Sequence, residues 1–500
     1  MTLARVASAV GGMLRPFSLA FLVPAIAAFV YEPHDLTIIG IDLPENTYHF
    51  FVAFLGVNLL AIPVGFATRN AEEEDLTDRE GYLVVALAWL VLPAAATVPF
   101  VLADVHPRVF DAYVDAIAAL TTTGFSTLGD PAAMDPSLLL WRALLQWLGA
   151  IGIVALGMAL LSKLTHGGLR LAPHDASMQT SKRLRPKMMD TARALLWLYT
   201  AITLVLLALL LAVLLGQGQG PKEAALEAML HVFGAFSTGG FARDAFLHDL
   251  SAPVLVILAA AMVLGATGFN VLLALRSGNL RTAARDPEWR FFLGGMVVVA
   301  TGVVLALILR GMDPMLALRD GSWTTLSAMT STGLRTATPD QWPTVVVFIL
   351  GVLVFVGGCS GSAAGGLKAF RILILLKIVQ RQLRVLLHPR AVAPVRIGRT
   401  VLTDAAVSTA VAFTFTTVLF WLAGTLAIAL LEPGLTPMGA ASGSAASLSN
   451  AGLAFHGFAP GGSLADLSYA TKAVVMALMW LGRLEVFAAL LLFYPASWRS

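Results

Sequence analysis

The chain is poor in what a water-soluble protein needs. Only 13% of its 500 residues are charged, against 58% that are hydrophobic, so soluble domains of this total length are excluded. It has one cysteine, Cys359, which rules out an internal disulfide and any multi-cysteine metal site. The nine histidines are scattered, and no paired carboxylates, histidine cluster or nucleophile–base pattern falls within the apolar segments. A membrane enzyme is therefore not expected, and neither is a bound cofactor. The net charge of +3 is small and unevenly placed, which fits membrane topology and gives no footprint for nucleic acid. The N-terminal stretch MTLARVASAVGGMLRPFSLAFLVPAIAAFV lacks a small-x-small cleavage site, and it reads as a retained helix instead of a signal peptide.

What the chain has is length and hydropathy, with a mean hydropathy of +0.80. About 20 apolar residues cross a hydrocarbon core about 30 Å thick. That filter predicts ten spans in a lipid bilayer, near 16–31, 49–68, 81–103, 138–162, 191–215, 251–275, 290–310, 343–378, 401–431 and 468–494. Lys and Arg crowd 163–193, 276–290 and 371–399, whereas 32–48 carries Glu32, Asp35, Asp42 and Glu45 with no base. The positive-inside rule then puts the basic segments and both termini in the cytoplasm. The acidic run AEEEDLTDRE at 71–80 falls inside by span counting, and acids orient helices only weakly.

After two N-terminal spans a pattern repeats four times: an apolar span, a short amphipathic stretch ending in small residues, and another span. The endings read TTTGF (121–125), STGGF (237–241), TSTGL (330–334) and SNAGL (449–453), with glycine always in fourth place. The preceding stretches, such as YVDAIAAL (113–120), are too short to span and suit half-helices entering from outside. Each would aim its negative carbonyl end at a common axis. Irregular backbone at membrane depth is tolerated only against protein or a water-filled cavity, so four equivalent breaks imply one shared cavity. A ring of oxygens around that cavity is what a dehydrating potassium ion requires, and glycine lets successive carbonyls face one way. The expected filter residues are Thr122, Thr123, Gly124 and Phe125 in the first loop, and Thr238, Gly239, Gly240 and Phe241 in the second. The third supplies Ser331, Thr332, Gly333 and Leu334, and the fourth Asn450, Ala451, Gly452 and Leu453. Taken singly, each run would more often be a helix-packing feature.

Long ordered blocks accompany the loops, including WRALLQWLGAIGIVALGMALL (141–161), DPEWRFFL (286–293), GGCSGSAAGGLKAFRILILLK (357–377), LHPRAV (387–392) and MWLGRLEVFAALLLFYPASWR (479–499). From about residue 77 onward the chain resembles the TrkH/TrkG family within the Trk/Ktr/HKT superfamily of cation channels. The resemblance implies an all-α membrane protein with a pseudo-fourfold pore. Its expected parts are a two-helix extension (1–75) and four helix–pore loop–helix repeats at 76–165, 166–280, 281–385 and 386–500. It also implies gated potassium uptake across the bacterial inner membrane, a homodimer, and a cytosolic nucleotide-binding regulatory subunit of TrkA type.

In that family the run GGCSGSAAGG is a flexible gate below the filter. Here it holds Gly357, Gly358, Gly361, Ser362, Gly365 and Gly366, and each glycine costs a helix roughly 1 kcal/mol relative to alanine. The helix is expected to unwind there, unless the glycines form a packing face. Lys368 either meets the gate or snorkels to the cytoplasm. Arg483 is expected in the pore beneath the filter as a positive barrier, or else paired with Glu485. Asp115 and Glu227 on the half-helices read as cation-attracting, as anchors, or as solvated. Arg243 and Arg335, next to the filter loops, either meet Asp130, Asp244 or Asp340 or brace the loops through carbonyls. The fourth loop's Asn450 and Ala451 make the ring unequal, so a less selective potassium/sodium channel stays open. Symport with sodium or protons is less favoured, because Asp404 and Glu485 lie near span ends.

Overall fold

The computed structural model describes residues 3–38, 41–67, 77–164, 184–243, 247–390, 393–398, 400–458 and 463–494. Most of the basic segment 163–193, the acidic run 71–76 and Asp244 lie outside the described residues. The first span is longer than hydropathy suggests: α1 (Leu3–Ser18) continues through a 3-10 turn, Leu19–Phe21, into α2 (Leu22–Tyr31). A short hairpin, β1 (Leu36–Ile38) and β2 (Ile41–Leu43), leads to α3 (Glu45–Ala67), which packs back against α1 and α2.

The four segments read as repeats follow. The first comprises α4 (Asp78–Leu102), the half-helix α5 (Val109–Leu120) and α6 (Pro136–Leu164). Thr77 and Glu80 open α4 with a reciprocal capping box, satisfying two otherwise orphaned N–H groups. The second comprises α7 (Leu184–Gly216), α8 (Pro221–Phe236), α9 (Ala252–Ala266) and α10 (Phe269–Arg276). A short α11 (Leu280–Arg285) joins it to the third, made of α12 (Pro287–Leu309), α13 (Pro314–Leu316), a π-turn, α14 (Ser322–Met329), α15 (Thr344–Val356) and α16 (Ala369–Leu387). A second small hairpin, β3 (Arg396–Ile397) and β4 (Thr400–Val401), precedes the fourth: α17 (Asp404–Leu431), α18 (Pro437–Leu448), α19 (Tyr469–Arg483) and α20 (Phe487–Phe493).

Besides the span near 343–378, which breaks between α15 and α16, two further predicted spans are not continuous. The span near 251–275 bends by 113° between α9 and α10, at Thr267 and Gly268. The span near 468–494 stops at Arg483 and restarts at Phe487, with Glu485 and Val486 at positive φ. No proline marks that second break; it turns Glu485 out of the helix toward Arg371 of α16, 2.7 Å away. Among the described residues six helices are long and apolar enough to cross a membrane, or seven with the bent pair.

Buried apolar side chains gather around the half-helices. Ala112, Ala116 and Leu120 anchor one cluster, Ala228, Val232 and Phe236 a second, Ala328 and Met329 a third, and Ala440, Ala446 and Leu448 a fourth. The outward faces are equally apolar: Leu59 is 72% exposed, Val298 71% and Leu309 84%. Such surfaces on long helices are at home against lipid tails, not water.

Candidate functional site

Each half-helix ends in the same local structure. The second residue of each small-residue run is left-handed: Thr122, Thr238, Ser331 and Asn450 have φ of 56°, 53°, 54° and 49°. The next N–H reaches back five residues, from Thr123 to the Ala118 carbonyl, Gly239 to Gly234, Thr332 to Ser327 and Ala451 to Ala446. This is a Schellman-type closure, a position usually filled by glycine. Threonine there is an outlier whose cost is roughly 1–2 kcal/mol, and strain of this kind concentrates at functional sites.

The four loops close into a ring through their glycines. Gly124, Gly240, Gly333 and Gly452 all have φ between 58° and 89°, and each lies against a carbonyl of the following repeat. A Cβ on Gly124 would collide with the Gly239 carbonyl oxygen, one on Gly240 with that of Thr332, one on Gly333 with that of Ala451, and one on Gly452 with that of Thr123. The order runs first to second to third to fourth and back to first, so the repeats surround one axis. Fourth-place glycine is thus required twice, by its dihedral angles and by this close approach.

The ring's side-chain oxygens are unequal. Thr123 and Thr332, in opposite repeats, each share a hydroxyl hydrogen bond with Thr121 and Thr330, at 2.9 and 2.7 Å. Gly239 and Ala451 have no hydroxyl at that place, and Asn450 Nδ2 donates to Thr123 Oγ1 at 3.0 Å instead. The buried hydroxyls of Thr122 and Thr238 have no hydrogen-bond partner.

Behind the loops stands a polar scaffold. Asp115 on α5 is fully buried and meets Arg142 Nε of α6 at 3.0 Å. Arg142 Nη2 also donates to the Phe125 carbonyl at 3.3 Å, while the Thr127 N–H donates to Asp115. Glu227 on α8 pairs with His231 and Arg243, each at 3.2 Å. Both acids anchor, and neither is a solvated face. Arg335 braces a loop through a carbonyl: it is buried, and its Nη2 donates to the Gly452 carbonyl at 3.1 Å. Asp340 accepts from the His456 N–H, and Asp130 caps a short 3-10 turn.

Sequence reasoning missed Arg142 and Gln146, although a charged or amide side chain inside an apolar span signals function. Gln146 Nε2 donates to the Gly239 carbonyl at 2.7 Å and its Oε1 accepts from the Phe241 N–H at 3.3 Å. Gln146→Leu is expected to destabilise the protein by about 1–3 kcal/mol, since two buried backbone groups lose their partner. Thermal unfolding in detergent measures this, and an unchanged midpoint would refute the bracing role.

Beneath the ring, the third repeat unwinds from Gly357 to Lys368, between α15 and α16. Gly357, Gly361 and Gly366 take φ of 68°, 68° and 80°. Close packing also holds this segment, for a Cβ on Gly365 would strike the Ser449 carbonyl and one on Gly358 would lie 2.7 Å from Ala364 Cβ. The Gly365 N–H donates to Ser331 Oγ at 2.7 Å, so the segment touches the underside of the third and fourth loops. Ser362 bonds to the Cys359 carbonyl. Lys368 does not snorkel away: it is buried and donates to the Ala364 carbonyl.

Arg483 lies on α19 one turn past Met479, whose carbonyl accepts from Asn450. It is 2% exposed and pairs with no acid among the described residues, because Glu485 is taken by Arg371. Its Nη1 donates to the Ala363 carbonyl at 3.1 Å and its Nη2 to the Gly149 carbonyl of α6 at 3.3 Å. A single guanidinium thus links the third and first repeats below the ring.

Residues 49–500 match the model of the TrkH family, described as a cation transport protein. The chain belongs to the TrkH family. It is 30% identical to the Trk system potassium uptake protein TrkH of Escherichia coli K12, over 98% of each chain. It is 31% identical to that of Vibrio parahaemolyticus, again over 98% of each. The crystal structure of the potassium transporter TrkH from Vibrio parahaemolyticus superposes with a TM-score of 0.86 at 28% identity, covering 100% of both chains. TrkH family membership makes this chain a membrane transport protein and not an enzyme.

Proposed function

We propose that this chain is the pore subunit of a potassium uptake system in a bacterial inner membrane, with both termini cytoplasmic. The observation that carries the reading is the closed ring of Gly124, Gly240, Gly333 and Gly452, each against a carbonyl of the next repeat. Thr122–Phe125, Thr238–Phe241, Ser331–Leu334 and Asn450–Leu453 form the selectivity filter, replacing the hydration shell of potassium with oxygens. The unpaired Thr122 and Thr238 hydroxyls supply further oxygens at the inner end. The repeats divide near 76–165, 166–280, 281–385 and 386–500, after the N-terminal extension 1–75.

The segment 357–368 is the gate and Arg483 the fixed positive barrier beside it. In the arrangement described, Arg483 joins the gate to α6, which suits a closed pore. A homodimer and a cytosolic nucleotide-binding regulatory subunit of TrkA type complete the system, in keeping with relatives named for a Trk system.

Transport is passive, drawn by an inside-negative potential worth about 2.3 kcal/mol per 100 mV for a monovalent cation. Rubidium and potassium influx into proteoliposomes is expected to rise with imposed potential in the absence of any sodium or proton gradient. Influx that appears only with such a gradient would replace the channel with a symporter. Sodium and lithium fluxes measured alongside decide between a potassium-selective and a mixed potassium/sodium pore.

A further inference from the structure

The gating segment is held at its rim as well as under the filter. Three backbone bonds tie it to the break between α9 and α10 of the second repeat. The Cys359 N–H donates to the Ala266 carbonyl at 2.9 Å, the Ala363 N–H to Gly265 at 3.1 Å, and the Phe269 N–H to Gly361 at 3.1 Å. A Cβ on Gly268 would lie 2.7 Å from the Ser360 carbonyl. The two interrupted helices of neighbouring repeats therefore complete each other's hydrogen bonding, which non-helical backbone at membrane depth requires.

The other hold is a side chain. Glu288 stands in the first turn of α12, and its Oε1 accepts from the backbone N–H of both Ser360 and Phe370, the latter at 3.1 Å. One donor, Ser360, lies within the segment, and the other, Phe370, is in the first turn of α16, where N–H groups have no intrahelical partner. A carboxylate there is favoured by the helix dipole and makes charge-assisted bonds. One oxygen thus fixes the spacing between the start of the segment and the helix that follows it.

We infer that Glu288 is a positioning residue for the gate, clamping Ser360 within 357–368 to the start of α16 in the arrangement where Arg483 meets Ala363. The inference rests on the reading of that segment as the gate. Opening then requires Glu288 to release at least one of its two N–H partners, and weakening the clamp shifts the gate toward the open state.

The chain's single cysteine provides the test. Cys359 is buried inside the segment, so its labelling by a water-soluble methanethiosulfonate reports movement of the segment with no engineered thiol. Labelling rate and rubidium influx are measured together on the full chain in proteoliposomes. Glu288→Ala is expected to raise the labelling rate about tenfold or more, the factor implied by losing one charge-assisted hydrogen bond, and to raise influx with it. Glu288→Gln keeps an acceptor oxygen without the charge and is expected to fall between Glu288→Ala and the unaltered protein in both readouts. Labelling that is unchanged or slower in either variant overturns the clamp. Faster labelling with unchanged influx upholds the clamp and overturns the gate. If Glu288→Ala does not fold, Glu288→Gln decides alone by the same two readouts.

Discussion

Gly240→Ala is expected to cut potassium influx by about 100-fold or more and to erase what discrimination against sodium remains. Two costs combine at this position. A non-glycine residue at φ of 70° loses roughly 1–2 kcal/mol, and the new methyl would fall well inside 3.0 Å of the Thr332 carbonyl oxygen. That oxygen has little freedom to retreat. The Thr332 N–H is bonded to the Ser327 carbonyl at 2.9 Å, and its hydroxyl to Thr330 at 2.7 Å. The second and third loops must then separate, and because the ring is closed, parting one contact disturbs its neighbours. Gly333→Ala is expected to be the mildest of the four, as its Cβ would stand 2.5 Å from the Ala451 oxygen, the largest of the four separations. Gly129→Ala, in the outer loop with open space around it, serves as the control that leaves flux unchanged. Influx of potassium, rubidium and sodium into proteoliposomes measures all three variants. Gly240→Ala with the selectivity of the unaltered protein would remove the ring from the conduction path.

The parts of this ring that sequence reveals are those written in repeated residue types. Glycine in the fourth place of four runs is visible by eye, and it is also what the ring needs sterically. Of the ten spans that hydropathy predicts, six correspond among the described residues to helices long and apolar enough to cross a membrane, or seven with the bent pair, because lipid rewards any apolar run of sufficient length. The same averaging is blind to direction. The 113° bend at Thr267 and Gly268 leaves composition untouched, and so does the turn at Glu485. Partner choice is equally hidden. Arg335 follows the third loop, and sequence leaves open whether it meets an acid or braces a carbonyl; the fold buries it against the Gly452 carbonyl of a loop more than a hundred residues away. Asp115 and Glu227 were recognisable as charges on half-helices, but their roles depend on Arg142 and Arg243, which only the assembled loops bring to them. Gln146 and Arg142 could have been suspected, since polar groups in an apolar span need partners. Which backbone groups they satisfy depends on packing between repeats.

Arg483→Ala is expected to raise potassium influx by about tenfold to 100-fold. The guanidinium is buried below the ring with no acid beside it among the described residues, so its charge is not neutralised by any of them. Two unit charges about 5 Å apart repel by about 3 kcal/mol at an effective dielectric of about 20, a factor of about 100 in cation occupancy. Arg483 also makes a mechanical link between Ala363 of the proposed gate and Gly149 of α6, so on that reading removing it loosens the segment. Conservative variants separate the two effects. Arg483→Gln retains hydrogen-bond donors without the charge, and if electrostatics dominates it conducts nearly as well as the alanine variant. Arg483→Lys keeps the charge with a single donor head in place of the fork, and on the same account its flux stays low. The reverse order, low flux in the glutamine variant and high flux in the lysine one, would make Arg483 a latch and not a barrier. A fall in influx in Arg483→Ala, with the protein folded and inserted in normal amount, would refute both roles and leave the guanidinium as a structural tie holding the repeats around the pore.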